Sequence, residues 1–323
     1  MSEALKNALE QPELPWRQRV SCVPWEPDSP HPQPMFGFDG TTHNWEEIGT
    51  YPPQSQSEAI HEFLEHPLHA PPPTRARMEA ALAELQTHIA ALPEHRAAMV
   101  FLQECVPQDL ETIGETAWVR AGFLRTDVDS PHWASRSYGT TTLVDRRLGV
   151  VGCFRVHYAL TDMGLRRKSV LLAVLDQGGK IVRFCNTHLE SLAHEPSFCP
   201  PQIALAAKFM HEDGRGFERH PPVGRTLHSD NDLRDAYLEL GGQENSEEGY
   251  TWGQQAAPEL RNMHGCSRMD KIFYCGGVSV QSFSRFGADV EVAEEGERER
   301  IMRFEKAWIT DHLGIFAEIT VLD

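Results

Sequence analysis

The chain has 323 residues, 40% of them hydrophobic and 24% charged, which is typical of a globular protein large enough to bury a sizeable core. Its formal net charge of −17 argues against a protein that coats nucleic acid through many phosphate contacts, but not against an enzyme that binds one phosphodiester. There is no apolar run near the roughly 20 residues of a membrane span, and the N-terminus lacks the apolar core of a secretory signal. We therefore expect an intracellular protein, nuclear or cytoplasmic.

The cysteines and histidines do not form a recognisable ligand or disulfide pattern. Seven cysteines and sixteen histidines are scattered along the chain, without a C-x-x-C pair or an H-E-x-x-H motif. Disulfide frameworks and zinc sites need tighter spacing. We expect reduced thiols and no zinc site.

Residues 1–73 are unusually rich in proline. Thirteen of the 22 prolines lie there, in stretches such as VPWEPDSPHPQP. Proline opposes helix interiors and central strands. We predict an irregular or partly disordered N-terminal arm over 1–73 and a folded domain over 74–323. Within the arm, SEAIHEFLEH (57–66) is expected to form a short helix.

From residue 74 onward the chain has the patterns of regular elements. Apolar residues at helical spacing predict helices over 75–92 and 200–212, the second with proline at its start, where proline is tolerated. Short apolar runs between and after them predict strands within 97–104, 138–145, 149–160, 168–176, 180–190, 269–283 and 307–322. So many strands, with helices between some of them, indicate an α/β sandwich of two packed sheets with helices outside.

Polar residues interrupt or end these runs at four places: LQE (102–104), NTHLES (186–191), SDND (229–232) and TDH (310–312). Each would project from the same end of a sheet toward a common cleft. Phosphodiester hydrolysis needs a carboxylate-bound divalent cation, a base for the attacking water and donors to the phosphoryl oxygens. The four groups supply Glu, His, Asp and Asp-His in that order.

The motifs occur in a recognisable order: LQECVP (102–107), THLES (187–191), SDNDLRD (229–235), RMDKIFY (268–274) and TDH (310–312). In order and wording they resemble the endonuclease/exonuclease/phosphatase superfamily, and most of all the 5′-tyrosyl-DNA phosphodiesterases. The resemblance spans about residues 75–323. It implies a four-layer α/β sandwich in which two packed mixed β-sheets are flanked by helices.

The same resemblance implies an Mg²⁺-dependent phosphodiesterase, with Mn²⁺ as an alternative ion. Glu104 would be the principal metal ligand, and Asp311 would support the metal shell. Asp230 would orient and deprotonate the attacking water. His312 would donate to the phosphoryl oxygens, with Asp270 holding its imidazole in the right tautomer.

Three further residues are candidates for substrate contacts. His188 would contact the scissile phosphate, although a buried histidine bonded to a backbone carbonyl is nearly as good an interpretation. Tyr138 and Trp252 resemble the aromatic positions that line the DNA channel in these enzymes. Packing in the core is the alternative for both.

The family's first motif, an apolar strand that ends in T-W-N or T-Y-N, is not recognisable before LQE. The sequence has no asparagine between Asn44 and Asn186. Asn44 itself comes too early and without an apparent strand. His61, Glu62 or Glu65 would have to take the place of the missing amide.

Asp232 stands where the family's G-D-x-N motif has its asparagine. An ionised carboxylate accepts hydrogen bonds and does not donate them, so Asp232 at this catalytic position would repel the substrate. Arg234 would pair with a substrate phosphate, or else form a salt bridge with Asp232 or Asp235.

Three interpretations therefore stay open. The first is a phosphodiesterase resembling 5′-tyrosyl-DNA phosphodiesterase, acting in DNA repair on protein-linked or damaged DNA and weakened by Asp232 and the lost motif. The second is another superfamily phosphoesterase that acts on inositol phosphate, sphingolipid or abasic DNA. The third is a non-catalytic binding descendant.

Overall fold

The computed structural model describes residues 23–49, 59–65, 75–135, 137–159, 169–177, 180–190, 197–211, 228–293 and 306–322. Strands β1 to β7 span Pro30–Pro32, Met35–Asp39, Asn44–Ile48, Ala59–Glu65, Arg96–Cys105, Phe123–Arg125 and Gly139–Asp145. Strands β8 to β14 span Gly149–His157, Ser169–Gln177, Lys180–Thr187, Arg234–Asp235, Phe273–Tyr274, Val278–Phe286 and Gly314–Val321. Helices α1 to α6 span Arg75–Ala90, Pro107–Glu115, Ala117–Gly122, Cys199–Met210, Ala236–Glu239 and Pro258–His264.

Two large sheets form the centre of the described structure. Eight strands make one sheet in the order β13-β14-β4-β5-β7-β6-β2-β3, and four make the other in the order β1-β8-β9-β10. The larger sheet is mixed, because β4 and β5 run parallel while the other pairs in it are antiparallel. The smaller sheet is antiparallel throughout.

Strand β5 is buried on both of its faces, which is why its sequence is an unbroken apolar run. Side chains alternate across a strand. One set of alternating residues, Ala97, Met99 and Phe101, belongs to the core between the two sheets. There the Phe101 ring lies 6.5 Å from the Phe184 ring of β10, measured between centroids.

The opposite face of β5 packs against helices. Ala98, Val100 and Leu102 form a cluster with apolar residues of α1 and α2, namely Leu82, Leu85, Leu110 and Ile113. On the far side of the molecule, α4 packs its Ala206 against Val156 of the smaller sheet. The layer order is helix, sheet, sheet, helix, so the predicted four-layer α/β sandwich is confirmed.

The helix predicted for SEAIHEFLEH is wrong over residues 59–65, which form strand β4 in the middle of the larger sheet. β4 pairs parallel with β5 and antiparallel with β14. The sequence AIHEFLE does not alternate cleanly between apolar and polar residues. Pairing with a neighbour on both sides overrides such a weak local preference.

The irregular arm predicted for residues 1–73 also needs correction over residues 30–48, where β1, β2 and β3 lie. β1 and β3 are edge strands and β2 lies next to β3, and edges tolerate the prolines found in β1. The predicted boundary at residues 73 and 74 therefore separates β1 to β4 from the strands with which they pair. In the rest of the chain, the helices predicted over 75–92 and 200–212 are confirmed by α1 and α4.

No helix in the described ranges combines the length and the apolar character that crossing a membrane requires.

We expect Phe63→Pro to destabilise the whole protein. Phe63 lies in β4, opposite Phe316 of β14 and Val100 of β5. Proline removes a ladder donor and is not tolerated in central strands. Thermal unfolding should show a strongly lowered midpoint or no cooperative transition. An unchanged midpoint would contradict the central position of β4.

Helix α2 begins with a buried carboxylate. Asp109 accepts a hydrogen bond of 2.8 Å from the backbone N–H of Val106 and is 3% exposed. Burial raises the pKa of Asp109 from its ordinary 3.8 to about 6, although the bond from Val106 and the charge of Arg77 lower it. Ionisation of Asp109 at neutral pH therefore destabilises the folded protein.

Asp109→Asn should stabilise the protein at neutral pH. The pKa of Asp109 is higher in the folded protein than in the unfolded chain. The contribution of this group to the free energy of unfolding is therefore fully present below about pH 4 and is lost as the pH rises through about 6. The variant keeps an acceptor for Val106 but loses this dependence. We expect a gain of about 1–3 kcal/mol near neutral pH that disappears near pH 4. Urea unfolding at both pH values tests this, and a variant destabilised equally at both would contradict it.

Candidate active site

Glu104 lies at an irregularity close to the end of β5. The pairing of β5 with β7 shifts register between Leu102 and Cys105, and Glu104 has a φ of +54°. Such a left-handed conformation is uncommon for a residue other than glycine and tends to persist at functional sites. Glu104 is 2% exposed, so its carboxylate needs partners close by.

Two side chains from neighbouring strands supply those partners. The hydroxyl of Tyr138, just before β7, donates a short hydrogen bond to Oε1 of Glu104. Nδ1 of His188, just after β10, lies 2.5 Å from that hydroxyl and 3.5 Å from Oε1 of Glu104. Because the hydroxyl proton goes to the carboxylate, Nδ1 of His188 is the donor to the tyrosine oxygen. The structure thus brings Glu104, Tyr138 and His188 together.

The ends of these strands are braced by polar side chains that sequence analysis did not single out. Asn186 is 0% exposed, and its amide donates to the carbonyl of Thr141 at 2.9 Å, which ties β10 to β7 across the two sheets. Gln103 donates to the carbonyl of Thr187 at 3.1 Å. A polar residue inside an apolar run, such as Asn186 in RFCNT, is the signal that predicts such a brace.

His312 and Asp270 form a second pair in the site. Nδ1 of His312 lies 2.8 Å from Oδ2 of Asp270, as the family resemblance implies. The hydroxyl oxygen of Thr251 accepts the backbone N–H of Asp270 at 3.0 Å, and the Thr251 carbonyl accepts the N–H of Leu313 at 2.7 Å. Thr251 therefore fixes the distance between the two segments that carry the pair.

Buried carboxylates control the charge of this pair. Burial lowers the pKa of His312, but Asp270, Asp311 and Glu104 outweigh it, so the pKa of His312 is raised. Burial raises the pKa of Asp311, against the opposite influence of His312 and Arg77. The charges of Glu104 and Asp311 thus both act on His312.

The chemistry of Glu104 and Asp311 fits a hard divalent cation. In the ranges that the structure describes, His, Cys, Asp and Glu side chains form no group of three or more arranged to hold a metal ion. Mg²⁺ does not need one, because one or two carboxylates, waters and substrate phosphates bind it in many enzymes. Within the same ranges, the buried Oδ1 of Asp311 accepts no hydrogen bond, which leaves this atom available as a ligand.

The SDND segment forms a short 3-10 turn at Ser229–Asn231. Oδ2 of Asp230 is buried and, among the described residues, accepts no hydrogen bond. Asp232 follows the turn at a φ of +54°, is exposed and donates its N–H to the carbonyl of Ser229 at 3.2 Å. Asp230 thus has an unsatisfied oxygen, whereas Asp232 lies at the surface.

Arg234 does not form the salt bridge that was one of its two expected roles. Its guanidinium lies 4.3 Å above the Tyr274 ring and donates to the carbonyl of Val278 at 3.2 Å. Asp235 pairs with a different arginine, Arg268. A contact between Arg234 and a substrate phosphate stays a prediction.

The pair of Asp235 and Arg268 joins two motifs. Arg268 donates to both carboxylate oxygens of Asp235, at 3.0 and 2.8 Å, and both side chains are 0% exposed. Asp235 also accepts the backbone N–H groups of Tyr237 and Leu238 at the start of α5. One buried ion pair therefore fixes SDNDLRD against RMDKIFY, the motifs that carry Asp230 and Asp270. The opposite charges in LRD and RMDK are the signal that predicts this pair.

Trp252 lies beside His312 and is 8% exposed. Its backbone bridges to both Ser267 and His312. Its ring lies 6.3 Å from the imidazole of His312 and 6.2 Å from that of His264, between centroids. Trp252 therefore packs in the protein directly beside His312.

A strand, β4, lies before LQE in the part of the chain where the first motif was expected. Glu65, its last residue, lies opposite Leu102 of β5, whereas His61 and Glu62 lie opposite Ala98 and Met99. Of the three candidates for the missing amide, Glu65 is thus at the register position nearest Glu104. Asn44 begins β3, at the far edge of the larger sheet, and cannot serve.

We expect Arg268→Met to destabilise the protein by about 3–5 kcal/mol, because it leaves the carboxylate of Asp235 buried without its cation. Arg234→Met is the matched control. It removes an exposed arginine next to the same aspartate and should cost less than about 1 kcal/mol. Urea unfolding measures both. Equal effects of the two substitutions would contradict the role given to the buried pair.

The sequence matches no protein-family model, and a search of curated proteins finds no match. Solved structures do resemble it. TDP2 from Caenorhabditis elegans has a TM-score of 0.54 and 17% identity, over 81% of this chain and 74% of that one. D. rerio TDP2 complexed with single strand DNA product has a TM-score of 0.57 and 15% identity, over 81% of this chain and 98% of that one. The human Nocturnin catalytic domain with bound sulfate anion has a TM-score of 0.53 and 16% identity, over 82% of this chain and 95% of that one.

At these identities the similarity establishes the fold. The chain has the fold of the endonuclease/exonuclease/phosphatase superfamily in a TDP2-like form, as the order of its motifs predicted.

Proposed function

We propose that this protein is a phosphodiesterase that depends on Mg²⁺, with Mn²⁺ as an alternative ion. The observation that carries the proposal is the 2.8 Å pair of His312 and Asp270. The buried carboxylates of Glu104 and Asp311 add to it, because their charges raise the pKa of His312. A histidine oriented by a carboxylate, next to carboxylates that fit a hard cation, is suited to phosphoryl chemistry. The similarity in fold to TDP2 and Nocturnin supports the same class of reaction.

In this proposal the reaction is one in-line attack of water on phosphorus, without a covalent intermediate, in which the bond from phosphorus to the ester oxygen opposite the water breaks and that oxygen leaves. A cation held by Glu104 and Asp311 would neutralise charge on a phosphoryl oxygen. Asp230 accepts the proton of the attacking water through its unsatisfied carboxylate oxygen. Since Asp270 holds Nδ1 of His312, the Nε2 atom is the one directed to the substrate. The raised pKa of His312 favours the imidazolium, in which Nε2 donates to the developing charge.

We propose DNA with a protein adduct or other damage as the substrate, which implies a role in DNA repair in the nucleus or cytoplasm. The motifs that resemble 5′-tyrosyl-DNA phosphodiesterases support this choice, as does the fold similarity to a TDP2 solved with a single strand DNA product. His188 contacts the scissile phosphate in this proposal, Trp252 and Tyr138 line the channel, and Arg234 contacts a phosphate farther along.

A second candidate is a smaller phosphoester, such as an inositol phosphate or a sphingolipid. The net charge of −17 favours it, because a short substrate needs fewer cationic contacts than a DNA strand. Hydrolysis of a panel separates the two candidates: a 5′-tyrosyl oligonucleotide, an abasic duplex, an inositol phosphate and an aryl phosphodiester. A protein that neither hydrolyses any of them nor binds Mg²⁺ would be a non-catalytic descendant.

We expect Glu104→Gln to reduce Mg²⁺-dependent turnover by a factor of about 10² or more, because a neutral amide binds Mg²⁺ poorly. Steady-state hydrolysis of the best substrate in the panel provides the measurement. Glu79→Gln is the control, since Glu79 lies on the surface of α1 and pairs only with an exposed arginine. Unaltered turnover in Glu104→Gln would end the assignment.

We expect Asp232→Asn to raise kcat at least about tenfold, which corresponds to about 1.4 kcal/mol in the barrier. The amide supplies a donor where the carboxylate repels the phosphate, and loss of one such donor typically costs about 10²–10³. Asparagine also tolerates the left-handed backbone at this position. A fall in both kcat and Mg²⁺ affinity would instead identify Asp232 as a metal ligand.

A further inference from the structure

The hydroxyl of Tyr138 donates a hydrogen bond to Oε1 of Glu104, the carboxylate to which the proposed function assigns the cation. We propose that Tyr138 sets the metal affinity of the site: its hydroxyl holds Oε1 of Glu104, and a divalent cation binds only by displacing it. This inference rests on the proposed function, since it places a cation at Glu104. It adds a competitor for the principal ligand, built into the protein itself.

The hydrogen bond between the two residues is strong and excluded from solvent. The hydroxyl donates a short hydrogen bond to an ionisable carboxyl group, and bonds of this charge-assisted kind are about twice as strong as neutral ones. Glu104 is 2% exposed and Tyr138 5% exposed, so the bond is shielded from solvent. His188 strengthens the arrangement, because its Nδ1 lies 2.5 Å from the hydroxyl oxygen and polarises the O–H bond toward Glu104.

Neither partner can easily move away. Glu104 is held in the register irregularity near the end of β5, with its left-handed backbone. Tyr138 precedes Gly139, whose Cα is so close to the ring of Trp133 that an added Cβ would lie 2.2 Å from it. Trp133 is itself 1% exposed. The backbone next to Tyr138 is therefore fixed against a buried ring, with the hydroxyl directed at Glu104.

Competition at one oxygen has a large effect here because, among the described residues, the cation is assigned to two carboxylates, Glu104 and Asp311. The amide of the first motif is absent from the sequence. Among the described residues, Glu104 and Asp311 are the buried carboxylates that, with Asp270, raise the pKa of His312. Mg²⁺ held by one or two carboxylates depends on each of them. A cation would thus bind weakly until a substrate phosphate adds ligands of its own.

Tyr138→Phe tests the inference by calorimetric titration of the full chain with Mg²⁺ alone and with Mn²⁺ alone, at one pH and without substrate. The variant should bind each ion about tenfold more tightly, since a hydrogen bond to a charged group no longer has to be broken. Tyr158→Phe is the matched control. It removes a similarly buried hydroxyl that bonds to Thr187 at 2.8 Å, and it should leave the affinity unchanged.

Equal or weaker binding in Tyr138→Phe, with measurable binding in the wild type, would overturn the inference and leave the proposed function intact. If no form binds Mg²⁺ or Mn²⁺, the inference fails, and the absence of turnover on the whole panel would show that the proposed function fails with it. If Tyr138→Phe does not unfold cooperatively, His188→Gln serves instead. That variant removes the ring nitrogen that orients the hydroxyl, so it too should bind the ions more tightly, and unchanged affinity would overturn the inference.

Discussion

The position of β4 between β14 and β5 is the constraint on which the candidate site depends. Its last residue, Glu65, lies opposite Leu102, two residues before Glu104. On its other side, Leu64 lies opposite Ile315, at the start of β14 and just after the turn that carries Asp311 and His312. The carboxyl end of one central strand therefore has the metal-binding candidate on one side and the histidine on the other. Hydrogen bonding of a strand on both sides leaves little freedom in this spacing.

Around this frame the site is organised by buried charges that satisfy one another. Asp235 and Arg268 hold the segment of Asp230 against the segment of Asp270, and Asp270 in turn orients His312. An ion pair in the interior contributes little net stability compared with apolar packing, but removal of one partner is costly. We infer that these pairs are retained because they set the positions of the functional carboxylates.

Much of this arrangement is predictable from the sequence, and the exceptions have physical causes. Long apolar runs such as MVFLQE identify β5 and its terminal Glu104, because burial on both faces leaves a clear signal. β4 gives no such signal, since AIHEFLE mixes charged and apolar residues and depends on its neighbours for its structure. The motifs identify His312 and Asp270 by resemblance. They do not reveal that Tyr138 bonds to Glu104, because that contact depends on a register irregularity in β5 and on a glycine that lets the chain pass Trp133.

We propose that Glu104 and Asp311 form one cation site at the end of β4. Anomalous diffraction from crystals of the protein grown or soaked with Mn²⁺ would test this site. We expect a single strong peak within bonding distance of a Glu104 carboxylate oxygen, with Oδ1 of Asp311 next to it, either as a ligand or through a bound water. Saturating Mn²⁺ with no peak at Glu104, or a peak bound only by residues elsewhere in the molecule, would contradict it.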